Sequence, residues 1–117
     1  MHLIKLNEHL DKTKAAMDQK EEAIRIRTTV ILPALKEHDK VFLDLEGYNR
    51  WTRSFLNEAV AGLIREDGYS RDQLKEQMTV IPPKHAKSIG SLVDNLINIA
   101  EMQRIVKKPY GTITMSS

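Results

Sequence analysis

The sequence predicts an α/β domain: a small sheet of about four strands with its helices packed mainly on one face. Three observations predict it. Val41–Leu45 and Met78–Ile81 are short runs with the length and composition of buried strands. Two clean amphipathic stripes follow them, Phe55–Ile64 and Ile89–Ala100. The segments alternate strand, helix, strand, helix, strand, helix, the order produced by parallel strands joined through right-handed crossovers.

His2 to Leu6 is short and apolar-rich and reads as an edge strand. Asn7 to Met17 is polar and lysine-rich without a clear period, which suits a loop with at most a helical turn. Asp18-Gln19-Lys20-Glu21 has the form of a capping box. Behind it Ala23, Ile24, Val30, Ile31, Ala34 and Leu35 make one helical stripe, with a gap at Arg27 and Thr28. Pro33 removes a backbone hydrogen bond and predicts a kink near residue 30.

Val41-Phe42-Leu43-Asp44-Leu45 is the central strand and Glu46-Gly47 ends it. Ser54 reads as the N-cap of the next helix. Phe55, Leu56, Ala59, Val60, Leu63 and Ile64 form its buried stripe, and Asp67-Gly68 stops it. Ser70 caps a short helical turn through Gln73. Met78-Thr79-Val80-Ile81 is a strand closed by Pro82-Pro83. The last helix runs from about Lys84 to Val106 on Ile89, Leu92, Val93, Leu96, Ile97 and Ala100. Residues 107–117 form a flexible tail, and Thr112 to Ser117 either frays or adds a weak edge strand.

The 117 residues suit a single domain, 1–117, with 41% hydrophobic and 29% charged residues. Eighteen basic residues stand against sixteen acidic ones, a net charge of +2, which is too even for a nucleic-acid partner. No apolar run approaches membrane-spanning length. The N-terminus lacks a signal peptide's apolar core. There is no cysteine, so thiolate chemistry, disulfides and thiolate metal sites are excluded. A cytoplasmic protein fits these features.

The chemistry-bearing residues concentrate after the central strand. Ser54 at a helix start could accept a phosphate, whose charge the free N–H groups and helix dipole would favour. Arg50 and Arg53 could pair with it. Capping alone, worth about 1 kcal/mol, is the simpler explanation of this serine. Tyr48 and Trp51 between arginines have the composition of an interface hot spot, or else fold back on the core. On the first alternative, Trp51→Ala weakens partner capture without unfolding the domain.

Asp44 and Glu46 make a poor cation site without a histidine nearby, and a solvated strand end explains them. Glu58, four residues after Ser54, suits the helix dipole equally well. His2, His9, His38 and His85 are dispersed. Phosphate-binding glycine loops and the G-x-S-x-G elbow are missing. Lys84, His85 and Lys87 at the start of the last helix, with Arg104, Lys107 and Lys108 at its end, form small basic groups. No cofactor, metal or catalytic residue is predicted, and the chain reads as a non-enzyme.

The order VFLDLEG, a short loop, SFLNEAVAGLIRE, a hydrophilic spacer and MTVI resembles the bacterial STAS-like domains of unknown function. These are relatives of the STAS domain of anti-sigma-factor antagonists. The helix carrying TTVILPALKEHDK fits too, since the family has a similar helix before its valine–x–leucine–aspartate strand. The resemblance covers residues 18–105. It implies a protein-interaction domain. In the antagonists a serine at the start of the helix after this strand is phosphorylated by an ATPase of the histidine-kinase type, and phosphorylation switches binding off. The antagonists carry Asp-Ser-Ser-Gly there, and Thr52, Arg53, Ser54 and Phe55 stand at the matching place, so the correspondence rests on Ser54.

The function expected is a regulatory interaction module. It would bind a protein partner through Tyr48, Arg50, Trp51, Arg53 and Ser54, with Ser54 as phosphoacceptor. The alternative is a small-molecule or nucleotide binder using the same helix start as an anion site. An open edge at the N-terminal strand could also pair between chains, giving a homodimer.

Overall fold

A computed structural model describes residues 1–11, 19–48 and 50–106. Three parallel strands form one sheet in the order β1 (His2–Lys5), β2 (Val41–Asp44), β3 (Met78–Ile81). His2 pairs with Val41 and Val41 with Met78. Three residues on, Lys5 pairs with Asp44 and Asp44 with Ile81. The sheet therefore has three strands where about four were expected. The edge strand considered for Thr112 to Ser117 and the cap at Asp18 lie outside the described residues.

Parallel neighbours require long crossovers, and helices supply them. Helix α1 comprises Gln19–Ile26, a π-helical turn at Arg27–Ile31 and a last segment Leu32–Glu37. Helix α2 comprises Arg53–Leu56, a π-helical turn at Asn57–Ala61 and Gly62–Arg65. Helix α3 is Arg71–Gln77 and helix α4 is Ser88–Val106. Helix α2 packs against both α1 and α4.

The strands alternate in burial. Ile4, Val41, Leu43 and Met78 are buried under the helices, whereas Leu3, Thr79 and Ile81 on the opposite face are exposed and Phe42 is half-buried. The helices thus cover one face, as predicted. Helix α2 supplies the centre of the core. All six residues of its stripe are buried, and Ala61 and Gly62 join them because helices flank it.

The gap predicted at Arg27 is filled by a buried charge. Arg27 is only 5% exposed. Its Nη1 donates to the Glu58 carbonyl at 2.8 Å and lies 3.6 Å from the Glu58 carboxylate. Its Nε lies 3.0 Å from Asp67 Oδ2 but out of line for a hydrogen bond, so charge alone joins that pair. A buried guanidinium needs such partners. It also needs room: a Cβ at Gly62 would sit 2.2 Å from Nη1. The disturbance expected near residue 30 takes the form of the π turn, in which the Leu32 N–H donates to the Arg27 carbonyl five residues back.

Two buried glutamates tie loops and helix starts to their neighbours. Glu22 accepts from the Asp11 N–H at 2.6 Å and from Arg25 at 2.9 and 2.7 Å, while Arg25 also donates to the His9 carbonyl at 2.7 Å. The Arg25 hydrogen bonds hold the Glu22 carboxyl below its ordinary value. Glu101 in α4 accepts from the Arg71 N–H at 3.1 Å and from Arg104 at 2.8 and 2.9 Å. Arg104 is the largest cause of its fall from 4.5 to about 2.

Ser70 caps α3 as predicted, its Oγ accepting the Gln73 N–H at 3.1 Å, and Gln73 Oε1 completes a capping box by accepting the Ser70 N–H at 2.8 Å. Helix α4 begins at Ser88 rather than Lys84. The chain turns first, with Ala86 N–H donating to the Pro83 carbonyl at 3.1 Å and Ile89 N–H to the Ala86 carbonyl at 3.0 Å. Two histidines that are far apart in sequence meet, the rings of His2 and His38 stacking at 4.4 Å.

Candidate functional site

The C-terminal end of β2 is built by short, local bonds. Asp44 Oδ1 accepts the Glu46 N–H at 3.0 Å, a side chain substituting for a backbone turn. Gly47 follows at φ +94°, where a side chain would be strained and would also meet Asn7. Glu46 Oε1 reaches across to accept the Lys84 N–H at 2.7 Å. Both acids considered for a cation are therefore committed to backbone N–H groups. Among the described residues no cluster of three or more acidic or histidine side chains could hold a metal.

Trp51 is turned inward, 8% exposed, with its indole N–H donating to the Leu45 carbonyl at 2.8 Å. Tyr48 meets it edge-on at 4.7 Å and Phe55 packs behind it at 5.5 Å. These rings fasten the loop to the core. The structure realises the second alternative, a ring folded back on the core, and Trp51→Ala is expected to cost folding stability. The physical reason is the indole's dual nature: its body fills apolar space while its N–H meets a carbonyl that β2 leaves free at its end.

Ser54 is not the N-cap. Thr52 holds that position in extended geometry, its Oγ1 accepting the Phe55 N–H at 3.1 Å and donating to Gln19 Oε1 of α1 at 2.8 Å. Ser54 lies in the first turn of α2, exposed, and its hydroxyl makes no hydrogen bond among the described residues. Arg50 and Arg53 are exposed and have no ion pair among the described residues. Glu58 does not serve this surface. It is shared between Arg27 and, at 3.9 Å, Arg65.

The structure thus brings Arg50, Arg53 and Ser54 to one solvent-facing corner, with Tyr48 half-buried beside it and Trp51 supporting from beneath. The corner carries two cations, a free hydroxyl and the positive end of a helix. It could attract an anionic group or an acidic partner surface. Sequence reasoning missed Thr52 and Gln19. Thr52 and Ser54 share the residue type and spacing of a cap, so local signals do not separate them; the extended backbone at Thr52 in the fold does. Among the described residues no helix is long and apolar enough to cross a membrane.

Comparison with curated proteins and with solved structures gives no match. A family model does match, over residues 22–82, from the charged first half of α1 through the π turns, β2 and the corner to the end of β3. That span is more than half of the chain and contains the whole candidate site, so the chain belongs to the STAS-like domain of unknown function family, DUF4325.

Proposed function

We propose that the domain is a non-enzymatic regulatory interaction module that presents the 47–58 loop and the start of α2 to a protein partner, with Ser54 as a phosphoacceptor that switches the contact. One observation carries the reading: the Ser54 hydroxyl is exposed and makes no hydrogen bond among the described residues, while Thr52 does the capping. The simpler explanation of this serine, stabilising the helix, is thereby removed. A phosphate there would add a charge of about −2 beside Arg50, Arg53 and the first-turn N–H groups. It would change the corner from cationic to anionic or neutral. The resemblance to the anti-sigma-factor antagonists supports an ATPase of the histidine-kinase type as the partner, and the proposal assigns both to the cytoplasm.

The test is an affinity capture with the wild-type chain beside an Arg50→Glu/Arg53→Glu double variant, with mass spectrometry of bound proteins and of Ser54. A partner lost on charge reversal, with phosphate found on Ser54, supports the module. Equal capture by both would remove the corner from the interface.

Arg50 and Arg53 beside the helix start, without an ion pair among the described residues, also favour a second reading, in which a nucleotide or another small anion binds there. A ligand that binds the folded state raises the melting temperature by mass action. Nucleotides that raise it for the wild type and not for the double variant support this reading, and flat curves reject it.

A further inference from the structure

The free edge of β3, one of the two outer edges of the sheet with β1 as the other, also offers unused bonding groups. Leu45 donates its N–H to the Ile81 carbonyl at 2.9 Å. Ile81 and Thr79 therefore turn their backbone groups towards β2, and the alternate residues Met78 and Val80 turn theirs outward. The Met78 N–H is taken by the Leu74 carbonyl at the end of α3. The Val80 N–H and carbonyl and the Met78 carbonyl are left without a backbone partner among the described residues.

Helix α4 runs beside this edge and turns it into a cleft of about 480 Å³. Val80 and Ile97 line it with apolar surface, and Lys75, Lys87, Ser91 and Asp94 supply its polar groups. Lys75 lies 3.7 Å from Asp94, so those two charges offset each other. Lys87 is exposed and has no ion pair among the described residues. The cleft therefore combines unpaired strand groups, an apolar lining and one uncompensated positive charge.

Only extended backbone can satisfy alternating N–H and carbonyl groups along a strand edge, and its side chains then alternate into the cleft. The uncompensated Lys87 selects an acid. A second copy of this chain is a poor occupant, because its own cleft brings another Lys87 and commits its Asp94 to Lys75. We propose that the β3–α4 cleft docks an extended segment of a partner protein, added as a strand on β3, with an acidic side chain set against Lys87. This surface is separate from Ser54 and does not depend on the switch.

The test is selection of a phage-displayed random heptapeptide library on the full wild-type chain and, in parallel, on Lys87→Glu, which changes only an exposed side chain. Synthetic peptides from the enriched clones are then titrated while amide NMR shifts are followed. The expected result is β-branched peptides bearing an acid that move the Val80 and Ser91 amides and bind the variant more weakly, on the order of tenfold. The Val80 amide of the free protein should exchange rapidly with solvent. The proposal is overturned by peptides without acid preference, by shifts confined to other surfaces, or by no enrichment. Slow exchange at Val80 also overturns it, since the edge is then already paired, by a second copy if light scattering finds a dimer and by the chain itself if it finds a monomer.

Discussion

Two corners of this molecule carry the chain from the end of a strand into a helix, and they are built differently. Residues 45–48 and 50–52, between β2 and α2, are fixed by the indole bond of Trp51 to Leu45, the edge-on ring of Tyr48 and the tilted ring of Phe55 against that indole, and the double use of the Thr52 hydroxyl. Residues 82–87, between β3 and α4, are held by short turns and by the Glu46 carboxylate on the Lys84 N–H. The first corner puts its bonding capacity inward and leaves a small set of side chains facing solvent in fixed positions. The second leaves a strand edge open beside a helix. Rigid display suits recognition of a folded partner, whereas an open edge suits an extended one.

The comparison breaks first at Trp51. Trp51→Ala should cost about 3–5 kcal/mol in urea denaturation, since it empties a buried site and leaves the Leu45 carbonyl without its donor. Lys87→Ala at the other corner should stay within about 0.5 kcal/mol. Similar values for the two would mean that the first corner is not tied to the core.

The next effect is pH-dependent and concerns the inner half of α4. The folded Glu101 carboxyl titrates at about 2 against an ordinary 4.5. The ionised form therefore favours folding, with full effect above about pH 4.5 and loss as pH falls towards 2. Glu101→Gln should lower stability at neutral pH and flatten its decline across that window. A variant whose acid profile matches the wild type would show that Glu101 does not clamp Arg71 and Arg104.

Smaller effects separate the two hydroxyls of the first corner. Thr52→Ala should cost about 1 kcal/mol as a lost cap. Ser54→Ala should change stability by less than about 0.5 kcal/mol. If the two costs are reversed in a denaturation series, Ser54 is the cap and its availability for modification falls away.

Local signals in the sequence were enough for the parallel α/β order, the buried stripe of α2 and most of that of α4, the Ser70 cap and the one-sided packing of helices. Each of these rests on residues close together in the chain, where periodicity and capping rules act. What was missed depends on distant partners. Arg27 reads as a break in a stripe until Glu58 and Asp67 fold against it and Gly62 makes space. Glu101 gives no sign that it will cap Arg71 from another helix. Residue type and position in the sequence single out Tyr48, Arg50, Trp51, Arg53 and Ser54 as candidates. Which of them face solvent is not legible there, because that depends on where the Leu45 carbonyl and the Gln19 amide lie.

The most direct test of the central claim compares partner capture by the wild-type chain, Ser54→Ala and Ser54→Asp from native lysate, with each variant first checked for an unchanged melting temperature. A switched interaction module predicts that a regulatory ATPase is retained by the wild type and Ser54→Ala and lost with Ser54→Asp. Equal retention by all three would contradict the switch, and no partner on any of them would contradict the module.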